Sequence, residues 1–192
     1  MTTPIGICSN ALLQFGKSPI ASFEEPGDLA RLCSNLYPGE RDSILRENDW
    51  NCSIKRDILA PMVAAPAFGF TAQFQLPGDF LRMVSIGDYL VGEPLCRSFK
   101  VEGRRVLASG TTLPIVYVYR SSEADWDAKL VELMTARMAW KLCYAVTQST
   151  SLRDELKAEY SALAKAARAI DAQENPSSQL GDEDSPLISA RY

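Results

Sequence analysis

The feature that most restricts the fold of this chain is a change in hydrophobic period. Apolar residues recur at helical spacing near both ends, but between about Cys52 and Tyr119 the pattern moves towards the strand period of two. A strand cannot satisfy a 3.6-residue stripe, nor a helix an alternating one, so the two patterns call for separate elements. The reading is an α+β chain: a helical bundle from residues 1–50 and 121–174, a small antiparallel β domain inserted at 51–120, and an extended C-terminal arm at 175–192.

The helical ends carry their own punctuation. Thr3 followed by Pro4 is an N-cap with proline at the first helical position, where its missing N–H costs nothing. Ile5, Cys8, Leu12 and Phe15 then share a face, and Gly16 supplies the stop. A second helix is predicted from Asp28 as N-cap, burying Leu29, Leu32, Cys33, Leu36 and Tyr37. Pro38-Gly39 predicts a kink or a break before the pattern resumes at Ile44 and Leu45 and reaches Trp50, which anchors the crossover to the sheet.

Near the other end, Ser122 with Asp125 is predicted to open a long helix. Its apolar residues Trp126, Leu130, Leu133, Met134, Met138, Trp140 and Leu142 cover much of the circumference, so it should be buried on more than one side. Ser151 with Asp154 opens the last helix, striped by Leu152, Leu156, Tyr160, Leu163, Ala167 and Ile170. The short link between the two predicts an antiparallel hairpin. Ala162, Ala164, Ala166 and Ala169 would let another helix approach closely.

In the middle, Phe74 and Leu76 alternate with Gln73 and Gln75, and Phe80 to Ile86 reads as a strand ended by Gly87-Asp88. Phe99 and Val101 lead to Gly103-Arg104, a type II′ hairpin signal, and Val106-Leu107 begins the return strand. Ile115, Tyr117 and Tyr119 share one face of a last strand, and all of these are expected in one small sheet.

Composition excludes much chemistry. The chain has no histidine, which removes Ser-His-Asp and Cys-His catalysis and the usual base near neutral pH. Neither a phosphate loop nor a dinucleotide fingerprint is present, so no cofactor is expected. The five cysteines, Cys8, Cys33, Cys52, Cys96 and Cys143, are widely spaced and odd in number, which fits small buried hydrophobes better than disulfides or zinc. A net charge of −4 gives no basic footprint for nucleic acid. The N-terminus shows no signal-peptide pattern and no apolar run suits a membrane span, so a soluble protein made in the cytoplasm is expected.

The ordered segments resemble the tail tubular protein A family, the portal-to-nozzle adaptors (gatekeepers) of short-tailed phages. The likeness begins with Ala11-Leu12-Leu13-Gln14-Phe15-Gly16-Lys17-Ser18-Pro19-Ile20. It continues through Leu36-Tyr37-Pro38-Gly39-Glu40-Arg41-Asp42-Ser43-Ile44-Leu45-Arg46 and Trp50-Asn51. Phe74-Gln75-Leu76-Pro77-Gly78-Asp79-Phe80-Leu81-Arg82, the hairpin Val101-Glu102-Gly103-Arg104, the Tyr117 strand and the closing helical pair complete it over roughly residues 4–174.

The resemblance implies a virion structural protein without catalytic residues, forming a dodecameric ring in the tail. The ring would sit between the portal protein and the tail nozzle (tubular protein B), with tail fibres nearby and DNA passing through its lumen without specific binding. It implies helices that pack between subunits, here Trp126, Leu130, Met134, Trp140, Leu156, Tyr160 and Leu163, and a portal-binding arm, here ending in Leu187, Ile188 and Tyr192. An acidic chain, of pI about 5.0, suits a channel that must not grip phosphates.

Two other readings stand beside it. A carboxylate pair drawn from Glu24, Glu25, Asp79 or Glu102 could run glycan hydrolysis without histidine, as in a tail-associated lytic enzyme. A helical interaction module unrelated to phage is the third.

Overall fold

The computed structural model describes residues 2–92 and 98–174, and in it the chain is α+β, with four helices and two small antiparallel sheets. Cys96 and the arm residues Leu187, Ile188 and Tyr192 lie outside the described residues.

Helix α1 (Pro4–Leu13) starts as its sequence predicts. The Thr3 hydroxyl accepts the Gly6 N–H at 3.0 Å, and past the helix end Gly16 takes φ +66°. Helix α2 (Asp28–Glu47) departs from expectation at its start, where the cap is Gly27 and Asp28 already lies in the first turn. Of the kink or break expected at Pro38, the break is absent, since Pro38 lies inside one helix. Proline there removes one backbone hydrogen bond. Its ring is exposed, while Cys33 and Tyr37 before it and Ile44 and Leu45 after it enter the same core, which offsets the loss.

The long helix α3 (Ala128–Thr147) begins later than predicted. Ser122 caps only a 3-10 turn, Glu123–Asp125, and the cap of α3 is Asp127, whose carboxylate accepts the N–H groups of Lys129 and Leu130. Trp126 therefore lies in extended chain ahead of the helix, its indole N–H on the Ser121 hydroxyl at 2.9 Å. Only Gln148 and Ser149 separate α3 from α4 (Thr150–Glu174), and Gln148 makes the reversal at φ 58°. The two helices pack as the expected hairpin.

The β region forms two sheets where one was expected. Strands β1 (Ile54–Leu59), β7 (Leu113–Tyr119), β3 (Phe80–Ile86) and β4 (Tyr89–Leu90) lie in that order in the first. Strands β2 (Ala72–Gln75), β6 (Arg105–Ala108) and β5 (Phe99–Glu102) make the second. Phe74, Val106, Leu113, Ile115 and Tyr117 fill a core between them. One face of each sheet is apolar, and closing two such faces on each other removes both from water. At the β5–β6 turn Gly103 takes φ 60° while Arg104 keeps an ordinary φ, as a type II′ turn requires.

The first sheet also joins the helices. Leu81 and Val118 belong to the helical core with Trp50, Leu130, Leu133 and Met138. The Trp50 indole donates to the Ile44 carbonyl at 2.9 Å, holding the crossover the sequence assigned to it. Arg46 donates to the Leu81 carbonyl, and Arg82 returns a bond to the Arg46 carbonyl and pairs with Asp49 at 2.5 Å.

Candidate functional site

The most organised polar arrangement is a charged hub between three helices. Arg137 of α3 is buried, its side chain 7 % exposed. It donates to Glu40 at 2.6 Å, to Glu47 at 2.7 Å, to the Ser43 hydroxyl at 2.7 Å and to the Tyr160 hydroxyl at 2.7 Å. Tyr160 of α4 donates in turn to Glu47 at 3.2 Å, and Lys141 pairs with Glu40 at 2.9 Å. Burial would raise the Glu40 carboxyl, but hydrogen bonds and charge from Arg137 and Lys141 outweigh it and hold the group below its ordinary range. No fully buried side-chain nitrogen or oxygen among the described residues lacks a partner, which is what a buried charge needs in order to persist.

An aromatic ledge continues the hub outward. Trp140 stacks on Tyr160 with ring centroids 5.5 Å apart, and the Lys141 ammonium lies 4.7 Å from the Trp140 ring. A second cluster uses neighbouring residues of the same stretch of α2. Glu123 accepts from Tyr37 and Arg41, and Asp42 takes both arms of Arg120 at 2.9 and 2.5 Å. Burial opposes ionisation of Asp42, yet Arg120 and Arg41 lower its pKa. Both clusters lock elements together.

The β end has the opposite character. No charged residue lies between Asp57 and Asp79, and the segment joining β1 to β2 exposes Val63 and Phe68 almost completely, Phe68 at 88 %. Ile58, at 68 %, and Val101, at 46 %, are exposed elsewhere on the two sheets. Beside Phe68 a depression of about 460 Å³ is lined by Lys100, Glu102 and Arg105. Val63 and Phe68 thus leave an apolar surface on this uncharged loop.

The residues singled out for subunit packing turn mostly inward. Leu130 and Met134 are fully buried within this chain, and Trp126 and Tyr160 nearly so. Trp140, Leu156 and Leu163 pack part-buried against the same core. What the hairpin presents outward is Tyr144, Ile170 and the alanines Ala162, Ala166 and Ala169, whereas Ala164 is buried. The described cysteines are free thiols, three of them buried, and burial pushes Cys52 up to about 11.

The carboxylates considered for hydrolysis hold local structure. Glu25 accepts the Ala21 N–H at 2.7 Å, Glu24 accepts from Ser22, and Asp79 accepts from Lys55 and Tyr117. Glu102 pairs across the hairpin with Arg105 in the β5–β6 register. Among the described residues no group of three or more Asp, Glu or Cys is arranged to hold a metal, and no helix is long and apolar enough to cross a membrane.

Sequence reasoning missed the hub and the exposed loop, though both left signals. Arg137 is the one charge in the run Leu133 to Trp140, and Glu40, Ser43 and Glu47 share one face of α2 by their spacing of three and four. The loop's signal is its lack of charge. No family model matches the chain, and no curated protein matches it either.

Proposed function

We propose that the chain is a structural head-to-tail adaptor of a phage virion, a ring component between portal protein and tail nozzle through which DNA passes. The observation that carries this reading is the pairing of a locked helical end with an apolar β end that the chain itself leaves uncovered. An assembly component needs a rigid body and an adhesive surface, and Phe68 and Val63 supply the latter. The ordered resemblance across residues 4–174 names the assembly. In this reading the helical end faces the portal, the uncovered loop meets the nozzle or the neighbouring subunit, and residues 187–192 reach the portal.

Mixing the purified protein with its cognate portal and weighing the product by native mass spectrometry tests the idea. A stoichiometric complex with twelve copies on the portal ring is expected. A chain that stays monomeric with portal and is missing from purified virions would overturn it.

A further inference from the structure

We infer that the outer face of the first sheet is a docking groove for this chain's own C-terminal segment, with Asp182-Glu183-Asp184 on Arg56, Leu187 and Ile188 over Ile58, and Arg191 at Asp88. The docking describes the free chain, before any portal draws the arm away, and so does not depend on the adaptor reading.

The groove follows from sheet register. Ile54, Arg56 and Ile58 of β1 stand opposite Val118, Val116 and Pro114 of β7, and paired residues share a face. Val118, at the lower end, is covered by the helices, whereas Arg56 and Ile58 are exposed and Val116 and Pro114 only half-buried. The uncovered part is a groove of about 700 Å³ whose walls include Arg56, Ile58, Pro114, Val116 and Asp88. Because β1 is an edge strand, its outward backbone groups have no neighbouring strand.

Two observations select the occupant. The first is where the described chain ends: Glu174, the last residue of α4, lines one depression together with Asn51, Ile54 and Arg56. The segment therefore departs from the groove's own mouth. From Glu174 to Leu187 an extended chain spans at most about 45 Å, while β1 is about 20 Å long, so reach is ample.

The second is complementary charge. The groove offers a cation, Arg56, beside apolar Ile58, Pro114 and Val116, and an anion, Asp88, that shares a depression with Arg56. The segment offers anions at 182–184, apolar Leu187 and Ile188, then Arg191. Among the described residues neither Arg56 nor Asp88 has an ion-pair partner, although every ion pair elsewhere on this sheet is made within the chain. Of the other acids nearby, Asp49 pairs with Arg82 and Asp57 accepts the Ile58 N–H, while Glu174 shares the depression at the mouth with Arg56.

The experiment places the photocrosslinker benzoylphenylalanine at position 188 of the full-length chain and maps the products by mass spectrometry. Crosslinks to residues 54–58 or 114–116, within one chain and independent of concentration, are expected. Arg56→Glu should lower their yield about fivefold, and reversing 182–184 to lysine in the same chain should restore it. Crosslinks mainly between chains would overturn the inference in favour of a second copy, and crosslinks elsewhere or none would overturn it outright. Because the readout needs no portal, failure to assemble a ring leaves this result unaffected.

Discussion

The helical end and the β end of this molecule solve the same problem differently. The helical end fixes its geometry with buried charge: Arg137 reaches α2 and α4 at once, so only one arrangement of three helices satisfies it. The β end has a core of apolar side chains between two sheets and leaves apolar surface outside. Apolar packing tolerates many small shifts, whereas a guanidinium with four partners tolerates few. The rigid end is suited to holding a register between copies, and the compliant end to fitting against another surface.

The largest effect should come from Phe74→Ala, which removes a fully buried ring from the β core and should cost about 4 kcal/mol. All three tryptophans lie in the helical part, so fluorescence reports that end and far-ultraviolet circular dichroism reports both. If the two urea curves separate in this variant, the ends unfold independently; coincident curves would show that Leu81 and Val118 couple them.

Arg137→Met should cost about 3 kcal/mol, at the lower end for breaking a buried ion pair, because Glu47 can still reach water and Glu40 keeps Lys141. A variant as stable as the parent by urea denaturation would show that the hub does not hold the helices. Acid should probe the same contrast. Glu40 and Asp42 have lowered pKa values, so their contribution is complete above the ordinary values of 4.5 and 3.8 and is lost as pH falls through the lower folded ones. Asp171 works against this trend, since burial raises its pKa and its contribution is lost as pH rises. Stability measured from pH 6 to 3 should therefore fall at the acid end, and less steeply in Glu40→Gln.

The smallest effect on stability belongs to Phe68→Ser, expected within about 0.5 kcal/mol of the parent. The same variant should fail to co-assemble, seen as loss of the complex in native mass spectra. Unchanged assembly would remove Phe68 from the adhesive surface.

The helices were legible because capping and periodicity are local. Thr3-Pro4 and the Leu130 to Leu142 stripe each state their structure within a few residues. What was not legible is what distant segments decide together. The start of α3 moved to Asp127 because Glu123 and Trp126 are held in the preceding turn by Tyr37 and Ser121. Strand β1 escaped notice because its middle, Lys55-Arg56-Asp57, is charged on both faces, an edge-strand trait that masks alternation. The division into two sheets depends on pairing that no local pattern encodes, and the hub joins residues about a hundred positions apart in sequence.

The pairing of β1 with β7 has a consequence for how the chain is made. Ile54 lies opposite Val118 and Leu59 opposite Leu113, so the entry and exit of the whole β excursion are zipped side by side. Helices α1 and α2 therefore meet α3 and α4 only once that long loop has closed, and the closure entropy should make it the slow step of folding. Strand β3, inside that loop, still touches the helical end through Leu81 and Arg82. A short hairpin turn grafted in place of the stretch between Leu59 and Leu113 should therefore loosen the four helices, because it removes Leu81 from their core.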